Sequence, residues 1–559
     1  MTLHKIFSGL GVSDYLSLIS VSLIIYVTHY YYKYFTRVNP LPGPFPFPFV
    51  GNLPQFMWYK ANTREFFDAL QKKYGDLYEV NLGARRIVLN RAEDIDKLLM
   101  PSTKSHYMTR LPYMQGLEEI GMLGKGLILN HNLKSWRFNR QFFTQAILSP
   151  KFSQEAIVMT NKMFLELESY WDRLYLKEET TKQNKNVLDF AAWLSRFTND
   201  VIIALTTGER SYTMAGYFNV QGEEKSEHPP AIVEDSENFV QAFRSHLNNV
   251  SMFIFVNPFL RHYIPFFKGR SDKALQNVNY LYDRVDSIIK RRREEIENTP
   301  LDKPLPHDML TSVITANTPR DINYTKTVGG ESIDRPMTDL EIRHIMFDAF
   351  IGGTDTTANM ISFIVYYLAH YPDVKRKVVE EIDRVFQDDK TRPVAEKDIH
   401  QLKYIDAVIK EVDRVFPVSN MLQRYGTEPD EVAGYKWPSG TMFQVNSISI
   451  HKNKDYWEDP ETFNPDRWMV EDFEPKKYSF IMFGGGLRIC PGRKLAMIEL
   501  VTLTALLYRK YDIDLVDMKA PIQVKSGIIT AFTSRVHQFS LRLNEHDRVW
   551  DDHPEKNRC

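Results

Sequence analysis

Residues 483–494 read Phe-Gly-Gly-Gly-Leu-Arg-Ile-Cys-Pro-Gly-Arg-Lys. Of the two cysteines in the chain, Cys490 lies in this run and Cys559 is the last residue. A metal ligand must be the thiolate, and a free thiol has a pKa of about 8.5. An apolar helical pattern begins just after, over Arg493 to Leu506. Cys490 therefore lies at or just before a helix N-terminus, where unpaired N–H groups and the helix dipole favour negative charge. Gly484, Gly485, Gly486 and Gly492 let the backbone turn and bring N–H groups close to the sulfur. Pro491 lacks an N–H and suits the approach to a first helical turn. Arg488 is a permanent cation suited to a cofactor carboxylate. A buried structural cysteine would need none of this spacing. The run points to a thiolate held against a large planar metal cofactor.

The segment resembles the haem-binding loop of the cytochrome P-450 haem-thiolate monooxygenases. That family carries Phe-x-x-Gly-x-Arg-x-Cys-x-Gly, and Phe483, Gly486, Arg488, Cys490 and Gly492 fill every place. The resemblance extends over nearly the whole chain. It implies a mainly α fold with small β-sheets (α+β), the cytochrome P-450 fold: one large haem domain behind an N-terminal transmembrane helix. It also implies haem b, iron protoporphyrin IX, with Cys490 as axial ligand of the iron.

A second stretch supplies what such a thiolate needs. Thr338-Asp-Leu-Glu341 is a capping box that opens a helical pattern running to about His370, before Pro372. Near its middle stand Gly352-Gly353-Thr354-Asp355-Thr356-Thr357. Two glycines inside a helix cost about 1 kcal/mol each relative to alanine, and Ser or Thr side chains can bend the backbone further. A close helix crossing would explain such a weak turn, and so would a function. The family's oxygen-binding helix has Ala/Gly-Gly-x-Asp/Glu-Thr-Thr/Ser, which residues 352–357 match in full. By that likeness Gly352 and Gly353 make room for dioxygen, Thr356 hydrogen-bonds it as it is reduced, and Asp355 helps to bring protons in from solvent.

Trp136 and Arg140 are four apart on a predicted helix and share a face. Both suit a haem propionate, as the family's Trp-x-x-x-Arg element implies. Arg424 is a further propionate candidate, and Arg110 a vaguer one. Glu411 and Arg414, three apart on a helix, match the family's Glu-x-x-Arg. Phe463-Asn-Pro-Asp-Arg467-Trp468 matches the element that locks onto it. The resemblance thus implies a partly buried structural network of Glu411, Arg414 and Arg467 behind the haem.

The 559 residues allow roughly two to four average domains, and 43% hydrophobic and 13% aromatic content suffices for one large core. A net charge of −1 gives no reason to expect nucleic acid as a partner. Two distant cysteines support no disulfide framework, and a zinc site is disfavoured without a Cys-x-x-Cys. Tyr15 to Tyr32 is apolar and ends in a tyrosine cluster. Eighteen residues at about 1.5 Å each span about 27 Å, barely a bilayer core. With Lys33 and Arg37 after it and no small-residue cleavage site, it reads as an uncleaved anchor with the body on the cytoplasmic side. The organisation expected is an anchor over 1–38, a stiff proline-rich hinge over 39–50, a catalytic domain over 51–543 and a solvated tail over 544–559. A β-hairpin is expected from Leu77–Val80 and Arg86–Leu89, and surface loops over Gly216–Ser236 and Asn317–Pro336.

No Gly-x-Gly-x-x-Gly dinucleotide motif is present, so electrons must come from another protein. The resemblance implies an NADPH-dependent flavoprotein reductase in the endoplasmic reticulum membrane, and cytochrome b5 as a further partner. NADPH and flavins enter only through the reductase. Lys134, Arg137, Arg493 and Lys494 form a candidate docking face. Met346, Phe347, Phe350 and Ile351 lead into the oxygen site, and the resemblance implies that Val418–Leu422 and Ile528–Phe532 line the pocket; these residues are apolar, which implies a lipophilic substrate. An isomerase, lyase or desaturase on the same fold, or a non-catalytic haem sensor, are the alternatives; the presence of Thr356 argues for monooxygenation.

Overall fold

The computed structural model describes residues 11–176, 187–321, 335–387, 389–519, 522–526, 529–532 and 539–543. The tail over 544–559 with Cys559, most of the Asn317–Pro336 loop and Ile528 lie outside them.

In chain order, the elements that position the site are α1 (Val12–Phe35), β1 (Leu77–Asn81), β2 (Arg85–Leu89), α2 (Leu133–Ile147), α3 (Phe190–Thr207), α4 (Ser236–Phe255), α5 (Asp339–His370), α6 (Lys403–Val415), β3 (Met421–Tyr425), β4 (Met442–Asn446) and α7 (Arg493–Lys510). One four-stranded sheet runs β1-β2-β4-β3. β1 and β2 form the antiparallel hairpin, β2 pairs parallel with β4, and β4 antiparallel with β3. The rest is helical, with two- and three-stranded sheets at the margins.

The long helix α5 is the axis of the core. Its N-terminus is closed reciprocally: Glu341 N donates to Thr338 Oγ1 (3.3 Å) and Thr338 N to Glu341 Oε2 (2.9 Å). Most of its second half is buried, and it crosses α3 closely. There Thr198 Oγ1 donates to Thr354 O at 2.9 Å and Asn199 Nδ2 to Thr354 Oγ1 at 3.3 Å. Helix–helix burial of this kind, rather than propensity, holds such an element in place.

One expectation needs correction. The polar stretch 216–236 is not all loop, because a helix covers Thr213–Gln221. Its start is fixed by buried Asp200, which accepts from Ser211 Oγ, Thr213 N and Met214 N. The proline-rich run packs against α1. Phe49 stacks on Tyr26 (ring centroids 4.1 Å apart), Phe45 on Tyr31 (5.3 Å), and Asn52 Nδ2 donates to Pro44 O at 3.0 Å. α1 itself is three residues longer at each end than Tyr15–Tyr32, and it buries none of its residues.

Candidate active site

Cys490 sits three residues before α7, behind Gly492 as N-cap. Its N–H donates to Phe483 O at 2.9 Å, which closes the loop into a hairpin-like turn. Gly484 and Gly486 have φ of 75° and 67°, conformations that side chains resist. At Gly486 a Cβ would also stand 2.9 Å from Leu99 O. Burial pushes the Cys490 thiol up; the Gly492 amide and Arg110, Arg140 and Arg493 pull it the other way without cancelling that. The expected help from the helix N-terminus is therefore outweighed in the protein alone, and a bound metal cation would supply the missing positive charge.

Four arginines converge on this loop. Arg140 Nη2 donates to Ile489 O (2.9 Å), Arg110 Nη2 to Arg488 O (3.2 Å) and Arg424 Nη2 to Gly485 O (3.3 Å). Arg488 points away from the turn. Its Nε, Nη1 and Nη2 donate to Met108 O (2.7 Å), Leu127 O (3.0 Å) and Asn130 O (2.6 Å), and its guanidinium lies 4.1 Å from the centre of the Trp136 ring. Arg488 and Trp136 thus brace one another, while Arg140, a turn beyond Trp136, reaches the cysteine loop. Arg110 proves to be as fully engaged as Arg424.

Burial pushes Arg424 down to about 9 and Arg140 to about 10. Arg488 falls to about 8, through burial first and then through Arg110, Arg424 and Arg140. Among the described residues none of the four has a carboxylate within salt-bridge distance. Buried cations that repel one another are costly unless an anion joins them. That arrangement fits a planar group carrying two carboxylates.

α5 carries the next candidate residues. Gly352 is exposed, and a Cβ there would meet nothing within 4 Å; Thr356, one turn on, is half-buried. Thr356 Oγ1 donates back to Gly352 O at 2.6 Å. Gly353 is in a different setting. A Cβ at Gly353 would stand 2.6 Å from Ile202 of α3, so this glycine serves the helix crossing. Asp355 also faces α3. It accepts from Ser195 Oγ (3.3 Å) and lies 4.0 Å from Arg244 Nε of α4; burial raises its pKa against the pull of both. Phe347 and Phe350 pack on Phe243 of α4 at 5.6 and 6.0 Å. Val418 meets the chain after residue 528 directly, through Thr530 N to Val418 O at 2.7 Å.

One residue escaped the sequence reading. Asp348, one turn before Gly352, is buried and accepts from Leu127 N (2.5 Å) and Ile128 N (3.0 Å). Leu127 O holds Arg488 and Ile128 O holds Arg110 (3.2 Å). Asp348 thereby ties α5 to the arginines of the cysteine loop. Its spacing of four from Gly352 was the available signal.

Behind the loop, Glu411 of α6 is fully buried and accepts from Arg414 Nε (2.9 Å) and Nη2 (2.8 Å), Asn464 N (2.9 Å), Arg467 Nε (3.2 Å) and Trp468 Nε1 (2.9 Å). Arg414 turns its remaining N–H groups to His451 O (3.1 Å), Pro460 O (2.7 Å) and Thr462 O (2.9 Å).

Comparison with known proteins agrees with this geometry. The family model described as Cytochrome P450 matches residues 41–539. Cytochrome P450 83A1 of Arabidopsis thaliana is 25% identical, covering 89% of this chain and 91% of its own length. Sugiol synthase of Salvia miltiorrhiza is 26% identical (93% and 97%), and steroid 17-alpha-hydroxylase/17,20 lyase of Ictalurus punctatus 24% (80% of each). A cysteine loop braced by arginines and tied through Asp348 to the helix of Gly352 accords with that match over most of the chain: the chain belongs to the cytochrome P450 family of haem-dependent oxidoreductases, the monooxygenases.

Proposed function

We propose that the protein inserts one oxygen atom from dioxygen into a lipophilic substrate, with electrons from a separate NADPH-dependent flavoprotein reductase. The observation that carries this reading is the Cys490 loop, gripped by Arg110, Arg140 and Arg424 and tied through Leu127, Ile128 and Asp348 to the helix that carries Gly352 and Thr356. A bound haem would supply the oxygen activation, and a cysteine thiolate is the ligand type that suits that chemistry. Overall, dioxygen, two electrons and two protons give one oxygen in the product and one water.

The chain's own residues do the rest. Cys490 would ligate the haem iron. Arg140, Arg424 and Arg110, with Trp136 beside them, would neutralise the haem propionates, and Arg488 positions the loop. Thr356 holds a proton at Oγ1 beside Gly352. Asp355, on the buried side of the same turn and linked to Ser195 and Arg244, carries protons inward. Phe483 and Gly486 set the turn. The catalytic body is residues 51–543, the joint 39–50 and the anchor 1–38.

The apolar helix α1 supports a single-pass membrane anchor. Lys33 and Arg37 beyond it support a cytosolic body, and with the reductase partner an endoplasmic reticulum location. Phe259, Tyr263, Phe266 and Trp58 expose large aromatic surface, which suits contact with lipid. A relative named for a steroid supports a lipophilic substrate.

With the reductase present, a panel of sterols, fatty acids and aromatic compounds should include one that shifts the haem spin state and is oxygenated at the expense of NADPH. Thr356→Ala should keep oxygen consumption while product per oxygen falls by at least about tenfold. Unchanged coupling would remove Thr356 from proton handling, and product without oxygen uptake would favour the isomerase reading.

Lys134, Arg137, Arg493 and Lys494 are exposed, and Arg493 lies close enough to Arg140 to repel it. This face suits an acidic reductase or cytochrome b5. Arg493→Glu with Lys494→Glu should slow reduction by the reductase, more so at low salt, and leave reduction by dithionite unchanged. Equal slowing of both would place the docking face elsewhere.

A further inference from the structure

A cavity of about 330 Å³ opens where α1 meets the first sheet, within the size range of small-molecule sites. It is walled by Tyr26, Tyr30, Lys33 and Arg37 of the α1 end and by Glu79 and Arg85 of the hairpin. Its frame is rigid. Glu79 accepts from Arg37 Nε at 2.5 Å and from Arg85 Nε at 2.9 Å. Arg85 also donates to Val38 O and Asn39 O, each at 2.7 Å, and Phe49 N donates to Tyr26 Oη at 3.2 Å.

Two polar groups in this wall are left over. Tyr30 Oη is buried and has no hydrogen-bond partner among the described residues. The Lys33 ammonium makes no ion pair or hydrogen bond among the described residues. Three cations stand against the single carboxylate of Glu79, so the cavity favours an anion. Its two free donors suit an oxyanion.

Depth in the membrane narrows the class. A bilayer core needs about 20 residues of helix, which from Val12 ends near Tyr31. Tyr30, Lys33 and Arg37 then stand at headgroup level, where tyrosines and basic residues concentrate. We infer that this cavity binds the phosphoryl oxyanion of a membrane phospholipid, with Lys33 Nζ and Tyr30 Oη as its donors. The lipid so held would fix the angle between anchor and catalytic body. The inference rests on the reading of α1 as a membrane span.

The test uses the full-length holoprotein in vesicles of equal phosphatidylcholine and phosphatidylserine. Integration is read by resistance to alkaline carbonate, and retained phospholipid by native mass spectrometry after gentle detergent extraction. The wild type should integrate and retain a phospholipid. Lys33→Glu should integrate equally well and lose that retention by about tenfold, Tyr30→Phe by a smaller factor. Lys33→Arg should retain it, as should Lys397→Glu, a charge reversal on a distant exposed helix. Integration with unchanged retention in both cavity variants would remove the site alone. Failure of the wild type to integrate would remove the membrane reading and the site with it. Inorganic phosphate that binds delipidated protein as tightly as the phospholipid does would show a phosphate site and overturn the lipid assignment.

Discussion

Glu411→Ala should yield little or no haem-loaded protein. The carboxylate accepts five hydrogen bonds at a fully buried site, two of them from the equally buried Arg414. Its removal leaves a guanidinium with only carbonyl partners in the core. Breaking one side of a buried pair costs about 3–5 kcal/mol, against a total stability of about 5–15 kcal/mol. The loss is also mechanical. Among the described residues, Asn464, Arg467 and Trp468 are anchored on no carboxylate but Glu411, and the chain they hold leads into the cysteine loop. Haem content per protein and the thermal unfolding midpoint measure the effect, and Glu411→Gln should fall between the variant and the wild type. Normal haem content with an unchanged midpoint in Glu411→Ala would reduce the network to ordinary packing.

Cys490→Ser should bring oxygenation to background. Serine keeps the size of the side chain and the Phe483 carbonyl bond, because that bond uses the backbone N–H. It removes the thiolate, since a hydroxyl does not ionise beside a metal as readily as sulfur does. The arginines of the loop bind carbonyls, not sulfur, so the fold should survive the change. The reduced, carbon monoxide-bound spectrum should lose its thiolate signature while circular dichroism stays near that of the wild type. Cys559→Ser should change neither. A thiolate-type spectrum in Cys490→Ser would exclude Cys490 as the axial ligand.

The parts of this site legible in the sequence are those written in short-range signals. The Phe483–Gly492 spacing, the capping box at Thr338, the hairpin at Gly83 and the Glu411–Arg414 pair each need only a few neighbouring residues. Gly352 and Gly353 look alike in the sequence, yet one lies open and the other is wedged on Ile202. Only the crossing with α3 separates them. Arg488 is legible as a cation, but its three carbonyl partners come from residues 108–130, more than 350 positions away. Asp348 was missed for the same reason: an acid on an apolar helix shows its purpose only when the amides it holds are in view.

Residues 126–130 are held from both sides. Asp348 grips the amides of Leu127 and Ile128 from α5, while Arg488 grips the carbonyls of Leu127 and Asn130 from the cysteine loop. A lipophile that enters beside α5 and moves this segment works directly against bonds made two residues from Cys490. Thermodynamic linkage is reciprocal. Whatever stiffens the cysteine loop from the Arg493 side, a docked redox partner included, then returns as an equal change in affinity for the lipophile, and the two partners become heterotropic effectors of one another.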